Sequence, residues 1–471
     1  MNTRMRLIVA GLVLFSAVAC GAEPVGEWLG VLGGSDHIVL NISRSDAGVN
    51  VVTVRNLNQT GQVLAADQVE LTNGHLLAGF APLKGTYEGQ WDATKSTWKG
   101  TWRQRAQPDR ALDFAPTTPA EYARFVVHRP QEEAIDRGPR PYENKNVTFE
   151  NPRAHLTLAG TFSVPQRKGP FPAILLIAGA GPMDRDEGIG HRFFLVHADS
   201  LLRRGIAVLR YDKRGVGESG GDFSKATFDD LVSDARAAFT YLQTRPEVDP
   251  KRLGVLGHSE GGSIAPAVAV NDKAVSFLVL MAGSGLRGDV RTIEQSAMRA
   301  REGGASPEQA AKVKALWQQL FAAFQAAPDD ATANLRIVKL IDQAAAGQVI
   351  TAEQAGALEK SVNATALREM IKDDPVVYLR QVTASVPTLA LIGSKDLVVL
   401  PEPWLAVMRP LLSVNPRSAV VELPDHNHGF QRSKTGYLRE INTIEESASP
   451  LVLQTIGDWV VTQASLKPPG D

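Results

Sequence analysis

Residues 252–269 read RLGVLGHSEGGSIAPAVA, and the folding of this stretch decides the rest. Its first part, Leu253-Gly254-Val255-Leu256, is a short apolar run of the kind carried by a strand buried on both faces. Its last part, from Gly261 to Ala269, is small and apolar and reads as the start of a helix. Between them Gly257-His258-Ser259-Glu260-Gly261 fits G-x-S-x-G, which sets a serine on a tight strand-to-helix turn. The glycines let the backbone bend sharply and keep side chains out of the way. The small residues that follow let the helix lie close to the sheet.

Outward from this turn the same alternation recurs. Apolar runs at 172–177, 206–209, 277–280 and 388–392 are separated by helical stretches. Near-continuous apolar strands between helices predict an α/β fold, with a mostly parallel sheet covered by helices on both faces. It spans 146–286 and 381–466. The interval 287–380 is rich in Ala, Gln and Leu at helical spacing and lacks strand runs. It predicts a helical cap or lid inserted over the carboxyl ends of the strands.

Upstream, residues 23–115 alternate with period two, as in HIVLNI at 37–42 and VNVVTV at 49–54. Turn signals recur at 33–36 and 72–74. This predicts a small all-β domain of short antiparallel strands, a sandwich or barrel. Trp28, Trp91, Trp98 and Trp102 lie in it, four of the chain's seven tryptophans. Aromatics in a β domain can line a sugar-binding face, but more often they fill a small core, and the core reading is preferred. Residues 116–145, with five prolines, read as a polar linker.

Composition narrows the function classes. The chain has 471 residues, 44% hydrophobic and 21% charged, ordinary values for globular domains. A formal charge of −1 leaves no basic surplus to hold phosphates, which argues against a nucleic-acid partner. The one cysteine, Cys20, excludes intramolecular disulfides and Cys-based metal sites. There is no P-loop and no H-E-x-x-H, and neither cofactor nor metal is expected. Residues 1–22 have a basic start at Arg4 and Arg6, an apolar run from Leu7 to Phe15 and small residues before Gly21. They read as a secretory signal peptide, so the protein is expected to be exported, periplasmic or secreted. Cys20 sits where a bacterial lipoprotein signal is cut and lipidated, which would give membrane attachment. Simple cleavage after Ala19 or Ala22 is the competing reading.

G-x-S-x-G occurs twice, so the motif alone is a weak signal. Ser219, in Gly217-Glu218-Ser219-Gly220-Gly221, lies beyond its strand and no helix follows. Ser259 has the strand before it and the helix after it, and is the candidate nucleophile. A serine hydroxyl needs a base, and the base an orienting carboxylate, in the chain order Ser, acid, His. Asp396 follows the run ending at Ile392, in a loop at a strand's carboxyl end. His426 and His428 lie in the loop after the next strand, and spacing does not choose between them. Two backbone N–H groups are needed for a tetrahedral oxyanion. One is expected from Glu260. The other is expected from the loop Ala178-Gly179-Ala180-Gly181-Pro182, with Ala180 first, Gly181 second, and Pro182 lacking an N–H. The glycines of this loop do not have dinucleotide-loop spacing.

Taken jointly, these residues resemble a known group. The stretches GAGPMDRD at 179–186, RYDKRGVGES at 210–219, GHSEGG at 257–262, GSKD at 393–396 and Asn427-His428 are similar to bacterial α/β-hydrolases of the serine aminopeptidase-like (S33-type) and secreted two-domain esterase group. The resemblance covers about residues 140–465. It implies the α/β-hydrolase fold, with Ser259 as nucleophile, Asp396 as acid and His428 as base. It also implies a small-molecule ester substrate, cleaved through an acyl-enzyme. An aminopeptidase is the alternative, and would need a cap carboxylate to hold a substrate amine. A binding protein on a degenerate hydrolase fold is a third reading. Ala180 stands where the group more often has Ser, but a backbone donor survives that change. The run Asp184-Arg185-Asp186 is expected to brace its loop by ion pairs.

Overall fold

In the computed structural model, residues 24–465 are described apart from 35, 59–62, 84, 105–108, 189, 284 and 373. The stretch read as a signal peptide, residues 1–22 with Cys20, lies outside the described residues. The chain divides between Val126 and Val127 into two compact units.

The first unit holds strands β1 (Gly26–Leu32), β2 (Asp36–Arg44), β3 (Asn50–Asn56), β4 (Val63–Ala65), β5 (Gln68–Thr72), β6 (His75–Phe80), β7 (Gly85–Asp92), β8 (Thr97–Gln104), β9 (Arg110–Ala111) and β10 (Phe114–Pro116), then a short helix α1 (Pro119–Tyr122). They form one antiparallel sheet in the order β4-β3-β2-β1-β10-β8-β7-β6-β5, with β9 on β8. Alternate residues such as Leu40, Ile42, Val52 and Val54 point inward. They share a single core with Leu71, Leu76 and Phe80 from the far end of the path, so the sheet coils over on itself. Trp28 meets Trp91 and Trp98 edge-on at 5.8 and 6.2 Å. Such ring pairs add about 0.5–1.5 kcal/mol each beyond their buried area. Trp28, Trp98 and Trp102 are buried in that core and do not line a binding face.

The second unit contains β11 (Tyr142–Asn151), β12 (Leu156–Pro165), β13 (Phe171–Ile177), β14 (Ala207–Tyr211), β15 (Val248–His258), β16 (Val275–Met281), β17 (Thr388–Gly393) and β18 (Ala419–Leu423). Its helices are α2 (Pro130–Arg137), α3 (Phe193–Arg203), α4 (Phe228–Gln243), α5 (Gly261–Asn271), α6 (Gly288–Glu302), α7 (Pro307–Gln325), α8 (Asp330–Ala346), α9 (Ala352–Ser361), α10 (Ala364–Lys372), α11 (Val376–Val382), α12 (Pro401–Leu412), α13 (Leu438–Ile441) and α14 (Pro450–Ser465). The sheet order is β11-β12-β14-β13-β15-β16-β17-β18. β11 and β12 run antiparallel, and β12 pairs antiparallel with β14. From β14 to β18 every neighbour is parallel. The central strands are buried along their apolar runs, 173–177 in β13, 253–258 in β15 and 277–281 in β16.

Two boundaries differ from the sequence reading. The stretch 116–145 is not a plain linker: β10 ends in it, α1 and α2 lie within it, and β11 begins at Tyr142. Its polarity misled because α2 sends only Ile135 into the apolar core and is otherwise held by hydrogen bonds and by the pairing of the buried Glu132 with Arg192. Between β16 and β17, helices α6 to α10 pack around their own cluster of Leu316, Leu320, Ile337, Ile341 and Leu367. Helix α11 leaves that cluster and puts Val376, Leu379 and Val382 into the main core, against α5. Gln295 of α6 donates to the Val398 carbonyl at 2.7 Å, which ties the helical segment to the loop after β17. Among the described residues no helix is long and apolar enough to cross a membrane.

Candidate functional site

The turn between β15 and α5 explains its glycines by contact. A Cβ on Gly257 would lie 2.0 Å from the Gly261 carbonyl oxygen, and one on Gly261 would lie 2.0 Å from that of Ile177. No side chain fits at either place. Ser259, between them, has φ 52°, a left-handed conformation that costs a non-glycine residue free energy. The turn is locked where it bends, the Ser259 N–H donating to the Met281 carbonyl at 2.9 Å.

Asp396 and His428 arrive from the ends of β17 and β18. Asp396 is fully buried. Its Oδ1 accepts the Val398 and Val399 N–H groups, both at 2.8 Å, which fixes the carboxylate and leaves Oδ2 for the ring. His428 Nδ1 stands 2.8 Å from Oδ2, and His428 Nε2 stands 3.1 Å from Ser259 Oγ. A carboxylate accepts, so Nδ1 carries the proton and the Nε2 lone pair faces the hydroxyl. The three side chains singled out in the sequence thus form one continuous hydrogen-bonded chain. His426 is buried with Nδ1 against the Pro424 carbonyl at 2.7 Å, and makes no contact with Ser259 among the described ones.

The loop after β13 lies against the turn. Gly179 has no room for a Cβ, which would meet Glu187 Oε1 at 2.8 Å and Ser259 Cβ at 3.1 Å. Ala180 is exposed, and Gly181 turns the chain with φ 98°. Among the described residues, the N–H groups of Ala180 and Glu260 have no protein acceptor. That leaves them available to a ligand.

Three polar residues that carry no assigned role in the sequence hold this loop. Glu187 Oε1 accepts the Gly179 N–H at 2.6 Å and contacts His258 Nδ1 at 2.8 Å. His258 Nε2 contacts the His428 carbonyl at 3.0 Å. One buried pair therefore links the loop to the backbone of the base. Burial works against charge on His258, but the Glu187 carboxylate beside it outweighs this and raises its pKa. Lys213 donates to the Gly179 carbonyl and, at 2.8 Å, to Glu260 Oε2. The signal in the sequence was weak: His258 and Lys213 are polar residues inside otherwise recognisable motifs, Glu187 falls just past one, and their partners lie elsewhere in the chain.

The run 184–186 braces its loop as expected. Arg185 makes a bidentate pair with Asp212 at 3.0 and 2.6 Å, and Asp186 pairs with the buried Arg210. Ser219 donates to the Asp212 carbonyl at 2.7 Å and accepts the Ala159 N–H at 2.9 Å. Its hydroxyl is used up in backbone bonds. Among the described residues no group of three or more His, Cys, Asp or Glu side chains gathers as a cation site.

Residues 191–422 match the family model described as serine aminopeptidase, S33. Esterase EstD of Thermotoga maritima is 36% identical over 143 residues, which is 30% of this chain and 33% of that protein. An uncharacterized protein of Pseudomonas aeruginosa is 31% identical over 140 residues, 29% of this chain and 36% of the other. The chain thus spans about a third of the length of these curated relatives. Among solved structures, an esterase of Pyrococcus furiosus aligns at 18% identity over 68% of this chain and 91% of that one, with a TM-score of 0.41. Over residues 191–422 the chain is thus similar to the serine aminopeptidase, S33 family.

Proposed function

We propose that the protein is an exported serine hydrolase that cleaves carboxylic esters of small molecules through an acyl-enzyme. The observation that carries this reading is the relay from Ser259 Oγ to His428 Nε2, 3.1 Å, and from His428 Nδ1 to Asp396 Oδ2, 2.8 Å. Ser259 Oγ attacks the acyl carbon while its proton passes to His428 Nε2. The carbonyl electron pair moves onto oxygen, where the Ala180 and Glu260 N–H groups hold it. Asp396 keeps the imidazole in the working tautomer and offsets its charge. Collapse of the intermediate breaks the bond to the alcohol oxygen, which takes the proton from His428. A water then gives a proton to His428 and attacks the acyl carbon, and Ser259 leaves with that proton. Overall, one water is added across the ester. Helices α6 to α10 serve as the lid that shapes the substrate pocket. Export rests on the composition of residues 1–22, with Cys20 lipidated, kept without a lipid by cleavage after Ala19, or removed by cleavage after Ala22.

Similarity to a protein named an esterase supports ester over amide chemistry. So does Glu294, a carboxylate on α6 beside the Asp396 loop, because Lys314 neutralises it at 2.6 Å and leaves it a poor holder of a substrate amine. The test is Ser259→Ala on the mature protein. Turnover of a short-chain aryl ester is expected to fall by at least about 10³-fold. Near-wild-type turnover in that variant sinks the reading. Faster cleavage of an aminoacyl amide than of the aryl ester by the wild type would move it to the peptidase alternative.

A further inference from the structure

Lys213 lies in the loop after β14 with its side chain only 2% exposed. An ammonium that deep must be paired and hydrogen-bonded. Its acceptors are the Gly179 carbonyl and Glu260 Oε2, and the Phe223 ring lies over it, with Nζ 5.4 Å from the centroid. These two acceptors belong to the two segments that supply the oxyanion donors. The Gly179 carbonyl and the Ala180 N–H are opposite ends of one peptide group. A cation on the carbonyl draws electron density through the amide resonance and strengthens the N–H as a donor. It also fixes the rotation of that peptide plane. The second acceptor is the carboxylate of Glu260, whose own N–H is the other donor. One ammonium therefore ties both donors to a common point, while Glu187 holds the preceding amide from the other side.

We propose that Lys213 is a positioning residue of the oxyanion hole, orienting the Ala180 and Glu260 N–H groups and polarising the first. This rests on the serine-hydrolase reading above, since it requires an oxyanion at that place. No bond to Lys213 forms or breaks in the reaction. An ion pair to Glu260 alone would be a modest contribution, because Glu260 is about a third exposed, its side chain 31% accessible. The carbonyl contact is what connects the charge to the donor.

The test compares the mature wild type with Lys213→Met, which removes every donor, Lys213→Gln, which keeps an uncharged one, and Glu260→Gln, which leaves the carbonyl contact. Four quantities are read: kcat and KM on an aryl ester, the inhibition constant of an aryl boronic acid, and the rate of Ser259 labelling by a fluorophosphonate. Lys213→Met is expected to lower kcat about 10- to 100-fold, somewhat less than the loss of a whole oxyanion donor, with KM within about twofold. Boronic acid affinity and labelling rate are expected to fall by a similar factor. Glu260→Gln and Lys213→Gln should lose less, in the same direction. A purely structural role would lower Tm and the fraction of active protein, but leave turnover per labelled site and boronic acid affinity unchanged. That result overturns the proposal, as do Lys213→Met and Lys213→Gln both staying within about twofold of wild type. If Lys213→Met does not fold, the other two variants decide by the same criteria. A wild type that labels but turns over no ester sinks the ester reading alone, and labelling rates then judge Lys213. A wild type that does not label at all sinks both.

Discussion

At the scale of single residues, the hydroxyl, imidazole and carboxylate were legible because each sits in a short stretch of recognisable type at a strand end. Glu187, His258 and Lys213 were not, because what makes them matter is a partner brought in by the fold: residue 258 against 187 and 428, residue 213 against 179 and 260. The Glu187–His258 pair has a definite proton count. The His428 carbonyl only accepts, so His258 Nε2 carries a proton, and a second lies between Nδ1 and Glu187. The His258 pKa is raised, so the stability this pair adds is present below the ordinary histidine value of 6.5 and is lost as pH rises through the folded value. Glu187→Gln is therefore expected to cost about 1–3 kcal/mol at neutral pH. The cost should shrink as pH rises from neutral through the raised His258 value, in urea unfolding followed across that range. His191 and His197 behave oppositely. Burial lowers them to about 3 and about 4, so the folded chain keeps them neutral while the unfolded chain takes up protons below pH 6.5. Stability then falls as pH drops from about 6.5 toward 4. His197→Leu should reduce the shift of the urea midpoint between pH 7 and pH 4.5, and an unchanged shift would remove His197 from the cause.

At the scale of elements, the parallel strands could be read because a strand covered on both faces has to be apolar without interruption, as 173–177 and 277–281 are. The glycines at 261 and 262 were equally telling, since the start of α5 lies too close to its neighbours for anything larger. A Cβ on Gly262 would lie 2.5 Å from the Gly283 Cα. Gly262→Ala is therefore expected to destabilise by about 1–3 kcal/mol through overpacking, read as a fall in Tm. Gly356 in α9 has open space around its Cβ position and lies inside a helix. Gly356→Ala should raise stability by about 0.5–1 kcal/mol and leave turnover unchanged. The pair separates a glycine required by contact from one that only adds freedom to the unfolded chain. What stayed hidden at this scale was α2. Its Pro130 start and the acids Glu132 and Glu133 in its first turn are helix signals, but eight residues are too few to stand out among polar neighbours.

At the scale of the molecule, α2 decides where the second unit begins. Arg129, just before it, is buried and donates to the carbonyls of Gly190 at 3.0 Å, Asn442 at 3.0 Å and Ile444 at 2.8 Å. Glu132 is buried against Arg192 Nε at 3.0 Å and Ser447 Oγ at 2.6 Å. Gln131 exchanges bonds with Ser447 and Ala448. These contacts reach more than 300 residues along the chain, which is why a linker reading of 116–145 was natural from composition and wrong in structure. Cutting within them leaves the half-buried Arg192 without the Glu132 carboxylate and the carbonyls of Gly190, Asn442 and Ile444 without their Arg129 donor, at about 1–3 kcal/mol for each group left buried and unsatisfied. A chain from residue 127 onward should therefore unfold in a single cooperative transition, with the midpoint that the second unit has in the full protein. A chain starting at residue 146 should lose several kcal/mol and unfold at much lower urea, or fail to accumulate as soluble protein. Equal urea midpoints for the two truncations would mean that the buried Arg129 and Glu132 contacts add nothing to the unit, and that its boundary lies nearer residue 146.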